Sequence, residues 1–117
     1  MTIRKFELGK IIATRKLVFT RGDGVESAVV VNLGNPVPDP NDPIRTWICP
    51  FQILGIGSER TKAIFGADSL QALTLALHIL PTELAALAKR ENGTFNSREQ
   101  DLGLSSACKA HLNPNDS

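Results

Sequence analysis

Few side chains in this 117-residue chain are of types that do chemistry, and their spacing keeps them apart. The cysteines are Cys49 and Cys108, and the histidines are His78 and His111. A zinc site needs such ligands in closely spaced pairs, which neither cysteine has, so no metal is expected. Asp68, Ser69 and His78 supply the residue types of a hydrolytic triad. On one helix they cannot converge, because His78 would lie about 15 Å along the axis from Asp68. Cys49 and His78 can meet only if that helix packs over the strand bearing the cysteine. Cys49 alternates with Trp47 and Phe51, which is the pattern of core filling. A pocket near Cys49, Gln52 and His78, in a small enzyme or ligand-binding protein, is therefore the alternative reading. Gly55 and Gly57 have a phosphate-loop spacing but lead from one strand to the next rather than to a helix N-terminus. No catalytic residue and no cofactor is identified.

The element that would have to cover any such site runs from Ser69 to Arg90. Leu70, Leu73, Leu77, Leu80, Leu84 and Leu87 recur at steps of three and four, which places them along one side of an α-helix. Asp68 and Gln71 form a capping-box pattern at its start. Lys89 and Arg90 favour the C-terminal end of its dipole, and Asn92-Gly93 supplies a stop. Pro81 falls inside the pattern, so the segment is one kinked helix or two collinear ones sharing a face.

Before the helix the period changes to two. Ile11 to Thr20 and Val25 to Leu33 alternate as strands, with Asp23-Gly24 between them as a hairpin turn. Thr46 to Leu54 alternates Trp47, Cys49, Phe51 and Ile53 against Ile48, Pro50, Gln52 and Leu54. Pro50 cannot donate to a ladder, which assigns this strand to an edge or a bulge. Glu59 to Phe65 returns as a further strand before Gly66. Gly34 to Pro43 carries Pro36, Pro38, Pro40 and Pro43, and reads as a stiff surface loop outside any ladder, displaying Asp39 and Asp42. The expected fold is α+β: an antiparallel meander of four or five strands over about 11–65, with one long C-terminal helix over about 69–90 packed on one face. The domain would span 1–91. The polar tail, 92–117, would be partly disordered, with Leu102 to Leu112 docking as a short element.

Hydrophobic residues make up 42% and charged residues 21%, which are ordinary values for a globular chain. No apolar run reaches the roughly 20 residues that span a bilayer, because Gln71, His78, Pro81 and Glu83 interrupt the leucine segment. The opening MTIRKFELGK has no export signal, so a cytoplasmic location with reduced cysteines is expected, and no membrane partner. Residues 1–21 hold six basic side chains against Glu7 alone, a net of +5, and the remainder carries −4 to give the chain's +1. Contact with a phosphate backbone through Arg15, Lys16 and Arg21 is the nucleic-acid version of that asymmetry. The chain shows neither exposed aromatic pairs nor a basic reading helix, so nucleic acid is not the expected partner.

The run WICPFQILGIG from Trp47, followed by GADSLQALTLAL ending at Leu77, resembles a group of small bacterial proteins known only as a domain of unknown function. The resemblance covers most of residues 10 to 90, including Ile12-Ala13-Thr14-Arg15. It implies a small antiparallel sheet with one long helix and transfers no active site. Small size, a missing catalytic constellation and a stiff acidic loop favour a non-catalytic protein-binding domain, with a toxin immunity or inhibitor protein as one concrete version. Asp39, Asp42 and Arg45 would be its contact residues, because a pre-stiffened loop loses little entropy on binding. One helix on a small sheet leaves apolar surface at Leu75 and Ile79, which implies a homodimer.

Overall fold

The computed structural model describes residues 4–96. Its first hairpin follows the alternation in the sequence. β1 (Ile11–Arg21) pairs antiparallel with β2 (Glu26–Gly34) along its length, with Leu17 opposite Val29 and Arg15 opposite Val31. The turn closes through Arg21 N–H to Val25 O at 2.9 Å, and the Asp23 carboxylate accepts the Val25 N–H at 3.0 Å.

The proline-rich stretch does enter the sheet, contrary to expectation. Val37–Pro38 forms a short strand, β3, beside β4 (Trp47–Leu54), with Val37 opposite Ile48. Prolines at alternate positions remove donors from one side of a strand only, so the side carrying the Val37 N–H can still pair.

Pro50 likewise does not send its strand to an edge. β4 is interior, flanked by β5 (Lys62–Gly66) on one side and by β2 and β3 on the other. On the second side the ladder breaks between Ile48 and Phe51, and the proline sits in that gap. The connection before β5 is longer than expected. Residues 55–61 form a loop whose Ile56 plugs the core, and Glu59 accepts the Gly55 N–H at 2.6 Å.

α1 (Ser69–Arg90) is one continuous helix through Pro81. The cap forms with Asp68 accepting the Gln71 N–H at 2.8 Å, while Gln71 reaches one residue past the cap and accepts the Ala67 N–H at 2.6 Å. Its buried stripe differs from the leucine register. Ala72, Ala76, Leu80, Leu84 and Leu87 face the sheet, while Leu70 is 71% exposed and Leu77 also faces solvent. The helix start lies close against the end of β5: a Cβ on Gly66 would lie 2.5 Å from the Ala72 nitrogen, so position 66 needs glycine. By length and composition α1 is also apolar enough to cross a membrane, with a mean hydropathy of 1.4 over its best window, which corrects the expectation that no segment qualifies. In this fold the same apolarity covers a sheet.

The chain re-enters the sheet after the helix. β6 (Gly93–Asn96) pairs antiparallel with β1, with Thr94 opposite Thr20 and Phe95 opposite Phe19. The sheet therefore has six strands in the order β3-β4-β2-β1-β6, with β5 on the free side of β4. The four meander strands expected from sequence are present, and the folded unit continues past residue 91, where the tail was expected to start. Leu102 to Leu112 and Cys108 lie outside the described residues. The core between sheet and helix contains Phe19, Val29, Cys49, Phe51, Leu80 and Leu84, with Phe95 packed against it. The fold class is α+β.

Candidate functional site

The residue types that suggested chemistry are dispersed by this fold. Cys49 points into the core and is fully buried, with its Sγ donating to Gly34 O at 3.6 Å. Burial pushes its thiol up to about 11, so it is not a thiolate at neutral pH. His78 is exposed, two residues from both Ala76 and Leu80 and hence on the far side of α1. Gln52 lies on the sheet face opposite Cys49, as strand alternation requires. The pocket proposed around these three does not assemble. Among the described residues no three His, Cys, Asp or Glu side chains gather as metal ligands would.

The basic residues of β1 do not form one patch either. Arg15 and Lys16 are sequence neighbours on a strand and so project to opposite faces. Arg21 pairs with Glu91 at 3.4 Å and lies over the Phe19 ring.

The loop from Asp39 to Thr46 carries the expected contact residues, and the structure separates them. Asp39 is not displayed. It is 4% exposed and receives the Arg4 guanidinium on both oxygens, and the Asn41 N–H on Oδ1 at 3.0 Å. Its own N–H donates to Thr46 O at 2.8 Å, and its carbonyl accepts the Asp42 N–H at 2.9 Å. The Arg4 hydrogen bond, then the Asn41 N–H, holds its carboxyl below the usual aspartate range. Asp39 is the internal anchor of this loop, the role an Asx-type turn gives an aspartate.

Asp42 and Arg45 do reach the surface. Asp42 accepts the Thr46 hydroxyl at 2.8 Å and the Thr46 N–H on its carbonyl at 3.0 Å, and pairs with Arg45 Nε at 3.6 Å. Between them stands Ile44, 91% exposed, a residue the sequence reading passed over. Its only signal was an aliphatic side chain in a polar, proline-rich run with no alternating partner.

Arg4, Phe6 and Phe65 were also missed. Residues 4–9 run as an arm across the sheet face opposite α1. The Arg4 guanidinium lies 4.8 Å from the Phe6 ring and 5.6 Å from the Phe65 ring, and the two rings meet edge-on at 6.0 Å. The arm backbone approaches so closely that a Cβ on Gly34 would lie 2.4 Å from Leu8 O. Hollows of about 440 and 530 Å³ flank the arm, the first reaching Val37, Pro40, Ile48 and Pro50 and the second reaching residues 60–63.

A family model for a domain of unknown function, DUF6968, matches residues 13–106. The chain belongs to that family. The match takes in the sheet from the third residue of β1 onward, with α1, Asp39, Ile44 and Phe65, and begins after the arm. It begins three residues inside the 10–90 region that carried the resemblance, runs 16 residues past its end, and carries no assigned activity. No curated protein and no solved structure matches the chain.

Proposed function

We propose that this domain is a non-catalytic protein-binding module whose contact is the tip formed by Asp42, Ile44 and Arg45. The observation that carries the reading is Ile44, an apolar β-branched side chain almost wholly in water at the apex of a loop held by its own hydrogen bonds. Covering such a side chain on a partner is worth about 2 kcal/mol. Because the loop is already ordered, little of that is lost to conformational entropy. Asp42 and Arg45 flank it with one charge of each sign, which orients a partner more than it strengthens binding. Asp39 leaves the contact set, since its carboxylate is committed inside the loop.

A cytoplasmic immunity or inhibitor protein of a bacterial toxin is the concrete form of this proposal. Such a protein acts by surface complementarity alone. The test is affinity capture and crosslinking from the native host with the wild type, Ile44→Asp and Asp42→Ala. Loss of a captured protein with Ile44→Asp supports the reading. Unchanged capture by both variants removes the tip from it.

A homodimer is the second proposal, supported by the exposed Leu70, Leu75 and Leu77 on α1. Light scattering on the wild type and Leu75→Glu tests it. A wild type that stays monomeric at high concentration excludes it.

A further inference from the structure

We propose that Asp39 and Phe65 form a recognition cradle for an extended peptide segment carrying an arginine and, two residues later, an aromatic side chain, and that residues 4–9 are a strap occupying it in cis. The arm displays the chemistry of the ligand. In an extended chain, residues i and i+2 fall on one side, which brings Arg4 and Phe6 together onto the same receiving surface. Arg4 covers the Asp39 carboxylate, which is 4% exposed with the arm in place, and both of its oxygens accept from the guanidinium. Arginine suits this position, because its fork donates to two carboxylate oxygens while the same group lies 5.6 Å from the Phe65 ring centroid. Phe6 then lies against Phe65, which stays 46% exposed even with the arm in place, so the cradle has apolar surface to spare.

Residues 4–9 belong to no strand, and among the described residues the backbone hydrogen bond at the arm's root is Asn35 N–H to Lys10 O at 2.8 Å. A segment held by side-chain contacts at Arg4 and Phe6 and by the packing of Leu8 against Gly34, outside any ladder, opens at lower cost than the sheet beneath it. The hollows beside the arm leave room for the neighbouring side chains of a longer ligand. The receiving residues lie within the family match and the strap lies outside it. Cis occupancy sets the threshold for any competitor, since a short tether supplies a local concentration on the order of 1 mM.

The probe is an acetylated, fluorescently labelled peptide of residues 4–8, Arg-Lys-Phe-Glu-Leu, titrated into the full chain and followed by anisotropy. The double variant Arg4→Ala/Phe6→Ala is expected to bind it, and the wild type to bind at least about fivefold more weakly because its own arm competes. Adding Asp39→Asn should remove binding by tenfold or more while keeping an acceptor for the Asn41 N–H, so the loop stays closed. Adding Ile44→Asp should change nothing, which separates failure of this proposal from failure of the loop-tip reading. Absence of binding by the double variant at millimolar peptide, equal binding of a peptide with Glu for Arg, or indifference to Asp39→Asn each overturns it. A wild-type dimer dissociated by Arg4→Ala also overturns it, because the arm would then be exchanged between copies. If the double variant does not fold, amide shifts in the wild type with excess peptide decide. Changes at Asn35, Asp39 and Phe65 support the cradle, and their absence refutes it.

Discussion

Replacing Pro81 by alanine should stabilise this domain. Proline has no N–H, so in a continuous α1 the carbonyl of Leu77 lacks the partner that residue 81 would otherwise supply, and the ring crowds the preceding turn. In a helix interior that arrangement costs about 3 kcal/mol relative to alanine. Three effects reduce the gain. The ring is half-buried, so some contact is lost, and alanine leaves the unfolded chain freer by about 0.4–1 kcal/mol. Leu77 lies on a solvent-facing part of the helix, where water can satisfy a carbonyl that lacks its bond, which lowers the cost further. The net expectation is a gain of about 1 kcal/mol, which raises Tm by roughly 4 °C for a domain of this size. Differential scanning calorimetry of wild type and Pro81→Ala measures it, with urea unfolding at fixed m-value as the check. A lower Tm would refute the reasoning. It would mean that the sheet is fitted to a bend the proline imposes, and that a straight helix separates Leu80 and Leu84 from their places.

Three further outcomes follow from burial and charge. Leu84→Ala, at a fully buried site, should cost about 3 kcal/mol, whereas Leu70→Ala at the exposed helix start should cost under about 0.5 kcal/mol; equal losses in urea titrations would contradict the observed stripe. The carboxyl of Asp39 is held low in the fold, so the stability it contributes is complete above the unfolded value of about 3.9 and is lost as pH falls below it. Urea midpoints measured from pH 5 to pH 2 should therefore fall more steeply for wild type than for Asp39→Asn. Cys49, buried and with its thiol pushed up to about 11, should resist iodoacetamide at pH 8 until urea unfolds the chain; a Cys108→Ser background confines the assay to it, and rapid labelling of the folded protein would return the thiol to functional consideration.

Much of the architecture was legible because it rests on short-range rules. The cap at Asp68 and Gln71, the stop near Asn92, and the two-residue period of β1, β2 and β4 are encoded within a few positions of where they act. The errors came where a distant neighbour decided. Pro50 left an edge or a bulge open, and it occupies a break between two ladders that only the paths of β2 and β3 create. The leucine register looked decisive, yet the packing of α1 across β4 and β5 takes in Ala72, Ala76, Leu80, Leu84 and Leu87 and leaves Leu70 in water. Gly93–Asn96 has no apolar period of its own and becomes a strand because β1 offers it a partner. The candidate site was the least legible part. Asp39 and Asp42 are the same residue type three positions apart, and nothing local says that one is sealed by a guanidinium 35 positions away while the other faces solvent.

Periodicity, capping and turn chemistry in the chain were enough to determine an α+β protein with a hairpin, an alternating third strand and one long helix, because each depends on residues within a turn or a strand of one another. Tertiary structure alone decided which face of that helix is inside, which strand lies at the centre, and which aspartate is an anchor. Those outcomes depend on approach distances and charge pairs between segments far apart in sequence, and an alternation of residue types carries no information about either.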